Sequence, residues 1–213
     1  MAKQDRLEER KPRNQKRTAD LGYYLIVTNT KETEKCYFDG LHKSLPKNLQ
    51  PRLSISVHKA KTQSMIEKCN QLRASDPQFR SAWIVLDRDE EPDFDSLIAQ
   101  AKRQEIQVGW SNPCLEIWLY AYFGSMPTMQ NSTECCRRFA EEYKKKTGRG
   151  YSKADKQLYK QLCEHGDECE AIKRAKDKLN EHKRNNLIKP SDKCPATTVY
   201  RLVEAIREKV PCK

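Results

Sequence analysis

A strand that ends on one carboxylate and carries a second two residues later is a pattern that can hold a metal ion. Residues 83–90 read WIVLDRDE, an apolar run that stops on Asp87 with Asp89 just beyond. In extended chain, side chains at i and i+2 face the same way, so Asp87 and Asp89 can point together from the carboxyl edge of a sheet. Two like charges held together repel unless something neutralises them. Mg²⁺ prefers one or two carboxylates plus substrate phosphate oxygens, so it is the expected ion, with Mn²⁺ beside it. Read alone, DRDEEPD also fits a solvated acidic loop that starts a helix. A third carboxylate would complete a metal site or serve as general acid or base. Glu34, in the turn after the first apolar run, and Glu116, in SNPCLE, are the candidates, and each also fits a first helical turn. Lys153 can neutralise charge on a phosphate, or be one more surface lysine.

The charge balance narrows the partners. The chain has 213 residues, 41 Lys and Arg against 30 Asp and Glu, and a formal net charge of +11. Such an excess attracts phosphate polymers or anionic surfaces. Lys144, Lys145 and Lys146 with Arg137, Arg138 and Arg149 form the densest basic cluster. Arg13, Lys16 and Arg17 lie in an N-terminal arm with no apolar face. These nine residues are the expected nucleic-acid contacts. No apolar run approaches the ~18 residues needed to span a bilayer. The first twenty residues have no apolar leader segment, so a cytoplasmic protein is expected. Nine cysteines contain no C-x-x-C pair, and reduced thiols are the expectation. A zinc site at Cys163, His165 and Cys169 has poor spacing. His42 and His58 read as structural.

The elements that must position these residues follow from the apolar pattern. Residues 23–28, 53–58, 82–86 and 106–110 read as strands, the first and third continuously apolar, as in buried parallel strands. Helices are expected over 33–45, 63–73 and 94–103, with Thr33 as an N-cap. Ser111 or Asn112 is expected to cap the next helix, with Pro113 in its first turn and Trp118 in the core. Alternating strands and helices imply a parallel sheet with right-handed crossovers. After Gly124 the pattern is helical with almost no strand signal, over 133–146, 152–164, 168–183 and 197–208. The expected division is a basic arm (1–20), an α/β domain (21–125) and a helical extension packed on it (126–213).

Five segments resemble one family in order and spacing. VTNTKETEKCYFDGL resembles the RloB signature V-x-E-G-x-x-T-E-x-x-Y-F-x-x-L. WIVLDRDE resembles that family's strand ending in D-x-D, and SNPCLEIWLYAYF its S-N-P-x-x-E-x-W-L. GRGYSK and PATTVYRLVEAI resemble its later Y-x-K and P-x-T-x-x-x-x-L-V segments. The resemblance implies a Toprim-like fold and a metal-dependent nuclease of bacterial anti-phage defence, often working with an ABC-type ATPase. In such domains a glutamate after the first strand and a D-x-D after the third hold Mg²⁺ near the scissile phosphate. Here the glutamate position is Asn29 and the following glycine is Thr30. An amide cannot take a proton at neutral pH. The expected function is therefore a nuclease acting on RNA, with tRNA as one candidate, or on DNA. Asp87, Asp89 and Glu34 would bind metal, with Glu116 and Lys153 assisting. The alternative is a weakened or inactive nucleic-acid-binding subunit that docks on a partner ATPase. Three carboxylates converging within about 5 Å would favour the enzyme. A homo-oligomer is one candidate assembly, with the number of copies left open.

Overall fold

The computed structural model describes residues 22–29, 32–75, 81–89, 91–129 and 131–209. Arg13, Lys16 and Arg17, with the rest of the arm, lie outside the described residues, as do Thr30 and Glu90.

Four parallel strands form the body of the sheet: β1 (Gly22–Thr28), β2 (Leu53–Lys59), β3 (Ser81–Asp87) and β4 (Gln107–Asn112). A fifth, β5 (Ala196–Thr197), pairs antiparallel with β4, and the order is β2-β1-β3-β4-β5. Successive strands run outward from β1 in one direction to β2 and in the other to β3. The crevice beyond the carboxyl ends of β1 and β3 is therefore the switch point where open α/β sheets place ligands.

Period-two alternation assigns the side chains to two cores. Leu25 and Val27 of β1 and Ala82, Ile84 and Leu86 of β3 join one cluster, with α2 (Met65–Ser75) and α3 (Phe94–Arg103). Tyr24 and Ile26, with Trp83 and Val85, point the other way. There they meet α1 (Thr33–Ser44), α4 (Glu116–Ala121), α5 (Ser132–Thr147), α6 (Leu158–His165) and α8 (Val199–Arg207). Both faces are covered, which is why β1 and β3 read as unbroken apolar runs. Asp87 continues the series Trp83, Val85 and so belongs to the α1/α4 face. Trp118 is wholly buried in that core.

Residues 126–209 share this core. Phe139, Tyr143, Leu158, Leu162, Val199, Leu202 and Val203 lie in one cluster with Ile26 and Val85. β5 is not legible in the sequence because it is two residues long; the helix expected from 197 begins at Val199. Thr198 is spent on the sheet edge: the Trp110 N–H donates to its Oγ1 at 2.9 Å. Two expected caps are also corrected. Thr33 is the first helical residue, is buried, and does not cap α1. Ser111 and Asn112 end β4; the Ser111 hydroxyl pairs with that of Thr197, and the Asn112 amide donates to the Ser191 carbonyl. α5 is instead capped by Asn131, which accepts from the Glu134 N–H, and closed by Gly148 at φ +72°. A left-handed residue there favours glycine, which has no Cβ to strain it.

The two histidines are structural. His42 Nε2 lies 3.0 and 2.9 Å from the carbonyls of Gln50 and Leu53, and His58 Nε2 2.7 Å from the Ser56 hydroxyl. No helix among the described residues is long and apolar enough to cross a membrane.

α7 (Glu168–Arg184) is tied to the core through its first residue. Glu168 accepts from Tyr122 at 3.0 Å, Tyr159 at 2.6 Å and Arg207 Nε at 2.6 Å. Removing this acceptor takes one partner from each of two hydroxyls and removes the counter-charge of a guanidinium partly shielded from water. Glu168→Ala is expected to cost about 3 kcal/mol. Urea denaturation would read this as a lower midpoint with an unchanged slope.

Candidate active site

β3 delivers Asp87 to the switch point, and the segment after β4 delivers Glu116 beside it. The link is backbone pairing: the Arg88 N–H donates to the Ser111 carbonyl at 2.7 Å and the Asp89 N–H to that of Pro113 at 2.9 Å. Asp89 sits at φ +32°, so the chain turns there. The extended i, i+2 geometry expected for the two aspartates does not hold beyond Asp87. Asp89 instead accepts from the Ser132 hydroxyl at the start of α5, at 2.5 Å. α1 supplies Glu34, 1% exposed, from its first turn, and α4 supplies Glu116, 2% exposed.

These groups act on one another. Burial pushes the Asp87 carboxyl well above the ordinary carboxylate range, and the charges of Glu34, Glu116 and Asp89 add to the shift in that order. Lys153 opposes it. Asp87 as a residue is half-buried, but its Oδ1 is fully enclosed and meets no hydrogen-bond partner. The Asn29 Oδ1 and Thr28 Oγ1, at the end of β1, are likewise buried and unpaired. Buried polar oxygens left without a partner cost about 1–3 kcal/mol each. The donor set, oxygens from carboxylates and an amide, suits a hard divalent ion.

The carboxylates form a loose cluster. Among the described residues, no three of them bring oxygens within 4.8 Å of one another. A triad converging within about 5 Å, the arrangement that would favour an enzyme, is thus not reached by carboxylates alone.

Glu116 has the best-defined surroundings. Its Oε1 accepts from the Tyr151 hydroxyl at 2.9 Å and lies 3.7 Å from Lys153 Nζ. Glu116 raises the Lys153 ammonium above its usual value, so this lysine stays charged. Burial and the same carboxylate push the Tyr151 hydroxyl up strongly, and it remains a donor. Thr33 acts against this shift, so Tyr151 stands between the starts of α1 and α4 at the site.

A cleft of about 930 Å³ opens beside Asn29. Lys35 and Lys43 of α1, Lys59 at the end of β2, and Lys153 and Lys156 line it with the acids Glu32 and Asp39, the latter paired with Lys35 at 2.5 Å. Of these lysines, sequence pattern points to Lys153 alone. The others come from three separate elements, and nothing in their spacing marks them as neighbours. The expected contacts on α5 are placed differently. Arg137 pairs with Glu141, Arg138 with Glu134, and Lys145 and Lys146 with Glu142. Lys144 and Arg149 are exposed. Lys144 lies twelve residues beyond Ser132, about 18 Å along the helix from the Asp89 contact. Cys163 and Cys169 are exposed, and with His165 they form no three-ligand group among the described residues.

A family model described as RloB-like protein matches residues 24–206. No curated protein and no solved structure matches the chain.

Proposed function

The chain belongs to the RloB-like family, and from that premise we propose that it is a metal-dependent phosphodiesterase acting on nucleic acid, the effector of a bacterial anti-phage defence system. The observation that supports this most is Asp87. A carboxyl whose enclosed oxygen has no partner, with three more carboxylates acting on it, is a poor structural device and a good ligand.

Asp87 and Glu34 would hold the ion, with the Asn29 side-chain oxygen where the family signature writes glutamate and with Asp89 turning in from its Ser132 partner to join them. A divalent cation there would supply the charge that draws in a phosphate oxygen and acidifies a water molecule. Glu116 accepts the proton released at the nucleophile, oriented by Tyr151. Lys153 offsets charge that develops on the phosphate. The lysines of the cleft hold the strand, which is RNA, with tRNA as one candidate, or DNA. An ABC-type ATPase is the proposed regulator. The decisive assay offers tRNA, single-stranded RNA and plasmid DNA with Mg²⁺ or Mn²⁺, with and without such an ATPase. It compares wild type with Asp87→Ala/Asp89→Ala. Cleavage that the double variant retains would defeat the proposal.

Two observations favour a second reading, a nucleic-acid-binding subunit with weakened chemistry: the amide at Asn29 and the looseness of the carboxylate cluster. Asn29→Glu separates the two. It is expected to raise cleavage at least tenfold if the missing carboxylate limits the reaction. Unchanged cleavage from an active wild type would show that Asn29 is no handicap, and silence from both proteins would leave the binding role.

The cleft makes its own prediction. Lys59→Glu/Lys156→Glu is expected to weaken binding to a labelled oligonucleotide at least tenfold. The slope of log affinity against log salt should fall by about two, one for each phosphate that is no longer neutralised. An equal weakening from Lys144→Glu/Lys145→Glu would move the interface to α5.

A further inference from the structure

One cluster of side chains lies outside that chemistry yet shares a residue with it. Cys114, in the segment leading from β4 to α4, Glu116, the first residue of α4, and Cys136 of α5 bring their ligand atoms within 4.8 Å of one another. The two sulfurs are 4.0 Å apart. A tetrahedral zinc ion with bonds of about 2.3 Å to sulfur sets two thiolates about 3.8 Å apart. A disulfide needs about 2.05 Å. The sulfurs are therefore spaced for a shared third atom more closely than for each other.

We propose that Cys114, Glu116 and Cys136 form a second metal site, for a thiophilic divalent cation and Zn²⁺ foremost. Thiolates select such an ion over Mg²⁺, which keeps the two sites chemically separate. Three protein ligands leave a fourth position for water. Cys114 and Glu116 are buried and Cys136 is half-buried, so the ion enters from the α5 side. Both thiols give up their protons to solvent on binding. Two thiolates, one carboxylate and Zn²⁺ leave a net charge of −1, and Lys153, 3.7 Å from Glu116, balances it. Tyr151 fixes the carboxylate from outside the ligand set, as oriented ligands require. Cys135, the residue before Cys136, is buried in the core and stands outside the group.

Glu116 also acts on Asp87, so zinc that captures its carboxylate withdraws the proton acceptor of the proposed reaction. That consequence, inhibition by zinc, rests on the proposed function; the site itself does not.

The test uses the full chain, reduced and freed of metal, with Cys163→Ser and Cys169→Ser to remove exposed thiols. Co²⁺ is titrated in and then displaced by Zn²⁺. The expected result is one equivalent of Co²⁺ with thiolate charge-transfer absorption and the d–d bands of a tetrahedral ion. Cys136→Ser should weaken binding at least tenfold and reduce the charge-transfer band. Glu116→Gln should keep that band while weakening binding. A spectrum unchanged in Cys136→Ser, or none from the parent, overturns the site. If a variant fails to fold, alkylation of the parent decides: Zn²⁺ should protect Cys114 and Cys136, and equal labelling with and without it counts against the site. A Cys114–Cys136 disulfide in protein that takes up no Co²⁺ after reduction has the same meaning. None of these readouts uses cleavage, so an inactive chain leaves the zinc site standing or falling on its own result.

Discussion

Asp87→Asn is expected to abolish metal-dependent cleavage, by at least about 10³-fold, and to make the metal-free protein more stable at neutral pH. The pairing of these effects separates a functional carboxylate from a structural one. The sign follows from proton binding. Asp87 in the folded chain holds its proton to a pH well above its ordinary range. The unfolded chain releases it near 3.9. Between those limits the folded state binds the extra proton, so stability falls as pH rises, by up to ~1.4 kcal/mol per pH unit. Below about pH 4 both states are protonated and the handicap vanishes. Thermal melts of wild type and Asp87→Asn at pH 4 to 8 should therefore diverge as pH rises, the variant melting higher. Mg²⁺ or Mn²⁺ should narrow the gap by stabilising wild type alone; at tenfold over its dissociation constant a bound ion adds about 1.4 kcal/mol. A variant that melts lower than wild type at pH 8 would mean that Asp87 is a paired structural carboxylate.

The second large effect lies where α1 crosses α6. Gly40 sits on α1 against Tyr159, and a Cβ there would stand 2.4 Å from the Tyr159 Cβ. That atom is one bond from the backbone, so no rotamer change moves it aside. Tyr159 is itself held by Glu168 and packs edge-on against Tyr37 at 5.3 Å. Gly40→Ala would therefore push two helices apart despite alanine's better helix propensity. The expected cost is about 3 kcal/mol, a fall of roughly 6–12 °C in melting temperature. α1 also carries Thr33 and Glu34, so the displacement should reach the site. Metal-dependent stabilisation should weaken in the same variant, and an unaltered melt would show that the helices have room to spare.

The strands and most helices are legible in the sequence because burial on both faces leaves a pattern no loop would tolerate. AWIVL can only be an inner strand, and β3 spans it. The strand-end carboxylates are legible for the same reason, since a charged residue directly after such a run must emerge at the sheet edge. What fails is local. The extended geometry expected of Asp87 and Asp89 needs the strand to continue, whereas pairing with Ser111 and Pro113 turns it. Asn112 looks like a cap because caps and strand ends use the same polar residues. Tyr151 stands out in the sequence only as part of GRGYSK, because a tyrosine's hydrogen-bond partners across 35 residues leave no trace in sequence spacing. Cys114 and Cys136 escape notice for a similar reason: they meet through the packing of α4 on α5.

The attachment of β5 and α8 has a consequence for how the protein comes into being. Trp110 is bonded to Thr198, 88 residues later, and the Tyr24 hydroxyl donates to the Ala205 carbonyl, 181 residues later. The carboxylates of the cluster are all translated by residue 116, long before the segments that seal this sheet edge and fill the core behind β1. A ribosome-bound chain carrying every acidic residue of the site therefore lacks the frame that holds them. Because contacts so distant in sequence form late, the acidic cluster matures only after residues 196–207 have docked. For a protein proposed to cut nucleic acid, this order of events delays competence until synthesis has passed the site by some eighty residues, counting from Glu116 to Ala196.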